Sequence, residues 1–267
     1  MSESSKESLS LHSFRSATVH TGYISVWKKV ADLYTMFKGS RELDLDFHGL
    51  LKDTSTPSPL IAPQGGSLVK LAVEGYYRSL LQSIIQTGTY PFSVNNLKSF
   101  SIKMFDPDEV NDLKEFLDFP LPSLEHLSVS YYSIESERFS YPTLNLPPNL
   151  RFLSMSIIIR GPCSISNSLR WCAKNLESAR HVSLETFTIN ASLLDSESTE
   201  VYPNVLQFWS EFAVMLSESD FGSIRNVSLI FRPMKPEGRS VPGLELYKSA
   251  VEREMSLLIT RGLVTIS

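Results

Sequence analysis

Apolar residues recur along this chain in a six-residue phrase, apolar-x-x-apolar-x-apolar, with polar residues filling the gaps. Three successive copies show it most clearly: Leu97-Lys-Ser-Phe100-Ser-Ile102, Leu124-Glu-His-Leu127-Ser-Val129 and Leu150-Arg-Phe-Leu153-Ser-Met155. Earlier copies begin at Leu68, Ser40 and, in weaker form, Leu11; later ones begin at Ala179 and Ile224, with a last strand at residues 263–266. The starts at 11, 40, 68, 97, 124, 150, 179 and 224 are separated by 29, 28, 29, 27, 26, 29 and 45 residues. A near-constant period of this length is the mark of a solenoid, in which one supersecondary unit stacks on the next.

The phrase has a direct physical meaning. Its fourth and sixth positions lie on one face of a strand, and the third, fifth and seventh lie on the other. A crossover of about twenty residues returns the chain to the same edge, so successive strands run parallel. One unit cannot bury its own apolar pair. At roughly 1.5–3 kcal/mol per fully buried aliphatic side chain, each repeat draws most of its stability from its neighbours.

Most crossovers carry a helical period. Residues 23–37 place Ile24, Trp27, Val30, Leu33, Tyr34 and Phe37 at helical spacing, with Gly39 to end the helix. Residues 77–86 do the same with Leu80, Leu81, Ile84 and Ile85. Asp106-Pro107-Asp108-Glu109 supplies an N-cap, a first-turn proline and acidic first-turn charge ahead of Val110, Leu113, Phe116 and Leu117. Further helices are predicted over 166–176, 204–216 and about 244–260. Residues 131–149, with Pro142, Pro147 and Pro148, should be extended. Residues 190–202 and 232–243 read as loops. Residues 1–10 read as a disordered tail, and 11–267 as one solenoid domain.

Composition narrows the function classes. Of 267 residues, 42% are hydrophobic, 10% aromatic and 20% charged, which is enough apolar material for a continuous core. The net charge of −4 and the single scattering of Lys and Arg argue against nucleic-acid or anionic-membrane binding. No apolar run approaches the roughly 18 residues that span a bilayer, and the Ser/Glu/Lys-rich start is not a secretory signal. Two cysteines, Cys163 and Cys172, exclude a disulfide framework and a four-cysteine zinc site. The expected location is cytoplasmic or nuclear.

Leu124-Glu-His-Leu127-Ser-Val129 and Leu146-Pro-Pro-Asn-Leu150-Arg-Phe-Leu153-Ser-Met155 resemble the leucine-rich repeat family. In detail the chain looks like the degenerate repeats of F-box-type leucine-rich proteins, such as the large fungal sets, over roughly residues 11–231. The resemblance implies a right-handed α/β horseshoe with a parallel sheet on the concave face and helices and extended segments on the convex face. It also implies that the concave face binds another protein, often as the substrate receptor of a cullin ubiquitin ligase. Two departures bear on this. The family's usual Asn or Cys at the ninth position is replaced by His48, Tyr76, Phe105, Tyr132, Ile158, Phe187 and Arg232. The stretch before Leu11 is too short for an F-box, so binding of the cullin adaptor is expected only if an F-box lies upstream.

Candidate chemistry is sparse. The fifth-position column reads Asp44, Ala72, Ser101, Ser128, Ser154, Ser183 and Ser228, a small polar strip that would let a partner approach the sheet closely. Ser101, Ser128, Ser154 and Ser183 of this strip, with the flanking His126, Ser130, Phe152, Ser156 and His181, form the expected protein-binding face. The seventh-position column, Asp46, Glu74, Lys103, Ser130, Ser156, Glu185 and Ile230, makes the N-terminal end acidic. Asp44-x-Asp46-x-His48 would converge on one face of a strand and could hold a divalent metal, giving a metal-dependent hydrolase as the alternative from another class. The plainer account of these three residues is a solvated strand. His126 and His181, two strands apart, are too distant to share a metal, and Cys172 fits a core thiol. No phosphate loop, nucleophile elbow or His-Glu-x-x-His motif occurs. The expectation is therefore a non-enzymatic module with no catalytic residue, metal or cofactor.

Overall fold

The computed structural model describes residues 15–20, 40–47, 67–75, 78–87, 93–106, 108–132, 142–160, 167–194, 201–217, 221, 223–234 and 242–267. The chain divides into two compact units, Met1–His126 and Leu127–Ser267. Both are α/β, and every strand pairing whose register is defined is parallel. Within each unit the strands stand side by side in the order in which the chain makes them.

The first unit holds strands β1 (Ser16–His20), β2 (Glu42–Phe47), β3 (Lys70–Gly75) and β4 (Ser99–Met104), and helices α1 (Arg78–Thr87) and α2 (Asp108–Asp118). The register sets Leu43 beside Leu71 and Phe100, and Leu45 beside Val73 and Ile102. These rows are the buried fourth and sixth positions of the phrase, and all six side chains are at most 3% exposed. Leu80, Leu81 and Ile84 of α1 and Val110, Leu113, Phe116 and Leu117 of α2 supply the opposing wall. The Phe116 ring meets Phe100 at 4.7 Å between centroids.

The start of α2 follows its sequence cue. Asp106 Oδ1 accepts the Asp108 N–H, and the Glu109 carboxylate reaches back to accept the Phe105 and Asp106 N–H groups at 2.7 and 3.1 Å. This is a reciprocal capping box with Asp in the Ser/Thr place. Partial burial nonetheless raises the Glu109 pKa, because the loss of hydration outweighs the two N–H donations.

The second unit begins inside β5 (His126–Tyr131) and continues with β6 (Phe152–Arg160), β7 (Thr186–Leu194), β8 (Asn226–Pro233) and β9 (Val264–Ile266). Its helices are α3 (Asn167–Ser178), α4 (Pro203–Ser217), α5 (Pro242–Glu254) and α6 (Ser256–Thr260). The core rows are Leu153, Phe187, Val227 and Val264, then Met155, Ile189 and Leu229, with the half-buried Ile266 beside Leu229. Trp209 of α4 donates its indole N–H to the Tyr247 hydroxyl at 3.0 Å, and both rings pack against Phe231. Burial pushes the Tyr247 hydroxyl well above the ordinary tyrosine range.

Residues 142–147 form neither helix nor strand, in keeping with their prolines. Helix α3 holds this segment through two side chains. Trp171 Nε1 donates to the Pro142 carbonyl at 2.8 Å, and the fully buried Asn175 accepts the Leu144 N–H at 2.9 Å while donating to the Trp171 carbonyl. The Leu144 N–H lies outside any helix or strand, so the amide takes the place of a backbone partner.

Four sequence expectations need correction. The copy assigned to Ala179-Arg-His-Val182-Ser-Leu184 is not a strand. Residues Ala179–His181 form a 3-10 turn closed by the Val182 N–H on the Ala179 carbonyl at 3.0 Å. The strand phrase starts five residues later, at Leu184-Glu-Thr-Phe187-Thr-Ile189, with Phe187 opposite Leu153. Apolar spacing of three residues fits a helical turn as well as the opening of the phrase, which is why the two were confused. Phe187 is accordingly a fourth-position residue and Glu185 a second-position one. The weak first copy also shifts: Ala17 and Val19 align with Leu43 and Leu45, so the start lies three residues after Leu11. Residues 190–194, expected as loop, extend β7. The helix expected over about 244–260 is broken at Met255 into α5 and α6. The tail, the helix over 23–37, the ninth-position residue His48 and Cys163 lie outside the described residues.

Helix α6 ends at Gly262, which has φ +72° and nothing within 4 Å of where a Cβ would stand. The Gly262 N–H bonds to the Ile259 carbonyl and the Leu263 N–H to that of Leu258. This left-handed closure turns the chain directly into β9. Gly262→Ala should lower stability by about 1–2 kcal/mol through left-handed strain alone, read from chemical denaturation, and an unchanged midpoint would contradict it. Asn175→Ala should cost about 1–3 kcal/mol, because the buried Leu144 N–H loses its acceptor. Faster hydrogen exchange at Leu144 in that variant is the accompanying signature.

Candidate functional site

Strand alternation sets which side chains leave the core, and register sets which of them meet. In the second unit the outward third positions are Phe152, Thr186 and Asn226. The fifth positions are Ser154, Thr188, Ser228 and Thr265, and the seventh are Ser156, Asn190 and Ile230. Ser128 and Ser130 take the same parity on β5. Hydroxyl and amide groups dominate, and none of these side chains is charged. Phe152, Ser154, Ser156, Thr186, Thr188, Asn190, Asn226 and Ser228 are all half-buried, whereas Ser130 is only 8% exposed.

On this face Asn190 Nδ2 donates to Ser154 Oγ at 3.1 Å and so ties β7 to β6. Neither Thr188 nor Asn190 was anticipated, because the misplaced copy gave their positions to Ser183 and Glu185. His181 sits in the 3-10 turn and Ser183 between that turn and β7, both exposed and neither on a strand. The corrected phrase beginning at Leu184 was the signal available in the sequence. Asn190 and Asn226 head Asn-x-Ser triplets, and each lies within a strand.

The second position of the phrase forms a charged row beside this face. Arg151 Nε donates to the Glu185 carboxylate at 2.8 Å, and its guanidinium lies 5.5 Å from the Phe152 ring centroid. The Arg151 hydrogen bond, reinforced by the charges of Arg151 and Arg225, holds the Glu185 carboxyl below its ordinary range.

In the first unit the equivalent face is charged. Its third-position row is Ser16, Glu42, Lys70 and Ser99, and its fifth is Thr18, Asp44, Ala72 and Ser101. Its seventh is His20, Asp46, Glu74 and Lys103, where Lys103 pairs with Glu74. Ser101 is half-buried on β4, and His126 is exposed at the unit's last position. The Glu125 and His126 N–H groups bond to the Lys98 carbonyl at 3.0 and 2.9 Å, and Lys98 pairs with Glu125 at 3.3 Å. Asp44 and Asp46 do share a face of β2, as alternation requires, while His48 lies outside the described residues. Among the described residues no group of three or more His, Cys, Asp or Glu side chains is placed to hold a metal ion.

Cys172 lies wholly inside the core between Leu169 and Leu176, and burial pushes its thiol far above the usual range, so it stays protonated and unreactive. Trp171 and Trp209 are both buried in helix–sheet packing. Among the described residues no helix is long and apolar enough to cross a membrane.

Comparison with protein-family models, with curated proteins and with solved structures gave no match for this chain.

Arg151→Met should return the Glu185 carboxyl toward the ordinary glutamate range, because its strongest hydrogen bond is gone while Arg225 remains. A side-chain carbonyl titration by NMR reads this directly. An unmoved midpoint would mean that the pair does not form in solution.

Proposed function

We propose that the chain is a non-enzymatic protein-interaction module that binds its partner on the outward sheet face of the second unit. The observation that carries this reading is the uncharged array of Ser154, Ser156, Thr188, Asn190 and Ser228 across three parallel strands. Half-buried hydroxyls and amides on adjacent strands, about 4.8 Å apart, offer donors and acceptors without the desolvation cost of bringing a charge into an interface. Phe152 and Arg151, stacked at one margin, add the aromatic and guanidinium groups that most often anchor such contacts. In this reading the units belong to a right-handed leucine-rich-repeat-like solenoid whose sheet is its concave side, and the partner lies within that concavity.

A photo-crosslinking side chain introduced at Thr188 should capture the partner in extract of the native host, while the same group at Gln207, exposed on α4, should not. Ser154→Arg should weaken the Thr188 capture about tenfold or more, equivalent to about 1.4 kcal/mol, with the melting temperature unchanged. Capture from Gln207 alone, or full capture with Ser154→Arg, would overturn the placement.

A further inference from the structure

No further inference is drawn: the strongest candidate, the exposed apolar side chains Val214, Leu246 and Leu257 on helices α4, α5 and α6 of the second unit, carries nothing, because nothing in the structure shows what covers them.

Discussion

Everything described here depends on parallel strands stacking with the phrase in register. A strand of this kind presents two apolar side chains to one side and cannot enclose them. Leu153 and Met155 are sealed because Phe187 and Ile189 stand beside them on β7, and those in turn because Val227 and Leu229 follow on β8. The first unit has its own row of this kind in Leu43, Leu71 and Phe100. With a side-chain period of two, a slip of one residue would exchange the buried rows for the polar ones. Core and outward face are therefore fixed by a single constraint, and the serine-rich surface is the other side of the apolar ladder.

The crossovers are free to vary because they only have to close the far wall. In the first unit α1 and α2 do so with aliphatic and phenylalanine side chains. The second unit uses two further solutions. A segment without regular structure, residues 142–147, is held on α3 by Trp171 and Asn175, whose buried amide satisfies a backbone N–H that lies in no strand or helix. Further along, Trp209, Phe212, Phe231 and Tyr247 fill the wall, with the one indole donor satisfied by the one phenol. Longer strands accompany the change: β6 and β7 each have nine residues, against six in β2, β3 and β4.

Where apolar spacing was strict and the period short, the sequence was a faithful guide. The copies at Ser40, Leu68, Leu97, Leu124, Leu150 and Ile224 all became strands, their fourth and sixth positions align wherever the register is defined, and the described helices fall within about two residues of their amphipathic patterns. The failure at Ala179 has a physical cause. Ala179, Val182 and Leu184 satisfy the phrase, and so do Leu184, Phe187 and Ile189; only the second set carries an aromatic residue and continues in uninterrupted alternation, through Ala191 and Leu193. A constant period favoured the wrong one. The candidate site inherited that error, which is how the outward positions of Thr188 and Asn190 were missed, whereas Phe152, Ser154 and Ser156 do lie at outward positions of β6. The hydrogen bond from Asn190 to Ser154 depends on tertiary register, and no local pattern announces it.

The face proposed for binding exists only if β7 is paired with β6 in this register, so that pairing is the point to test. In a background with Cys163 and Cys172 replaced by alanine, cysteines at Ser154 and Thr188 would sit directly opposite each other on neighbouring strands. Their separation of about 4.8 Å falls within the range a disulfide can bridge. Mild oxidation followed by mass mapping should show this pair linked, and a pair at Ser154 and Ser183 unlinked. The reverse result would move the strand back to the Ala179 phrase and dissolve the face on which the functional proposal rests.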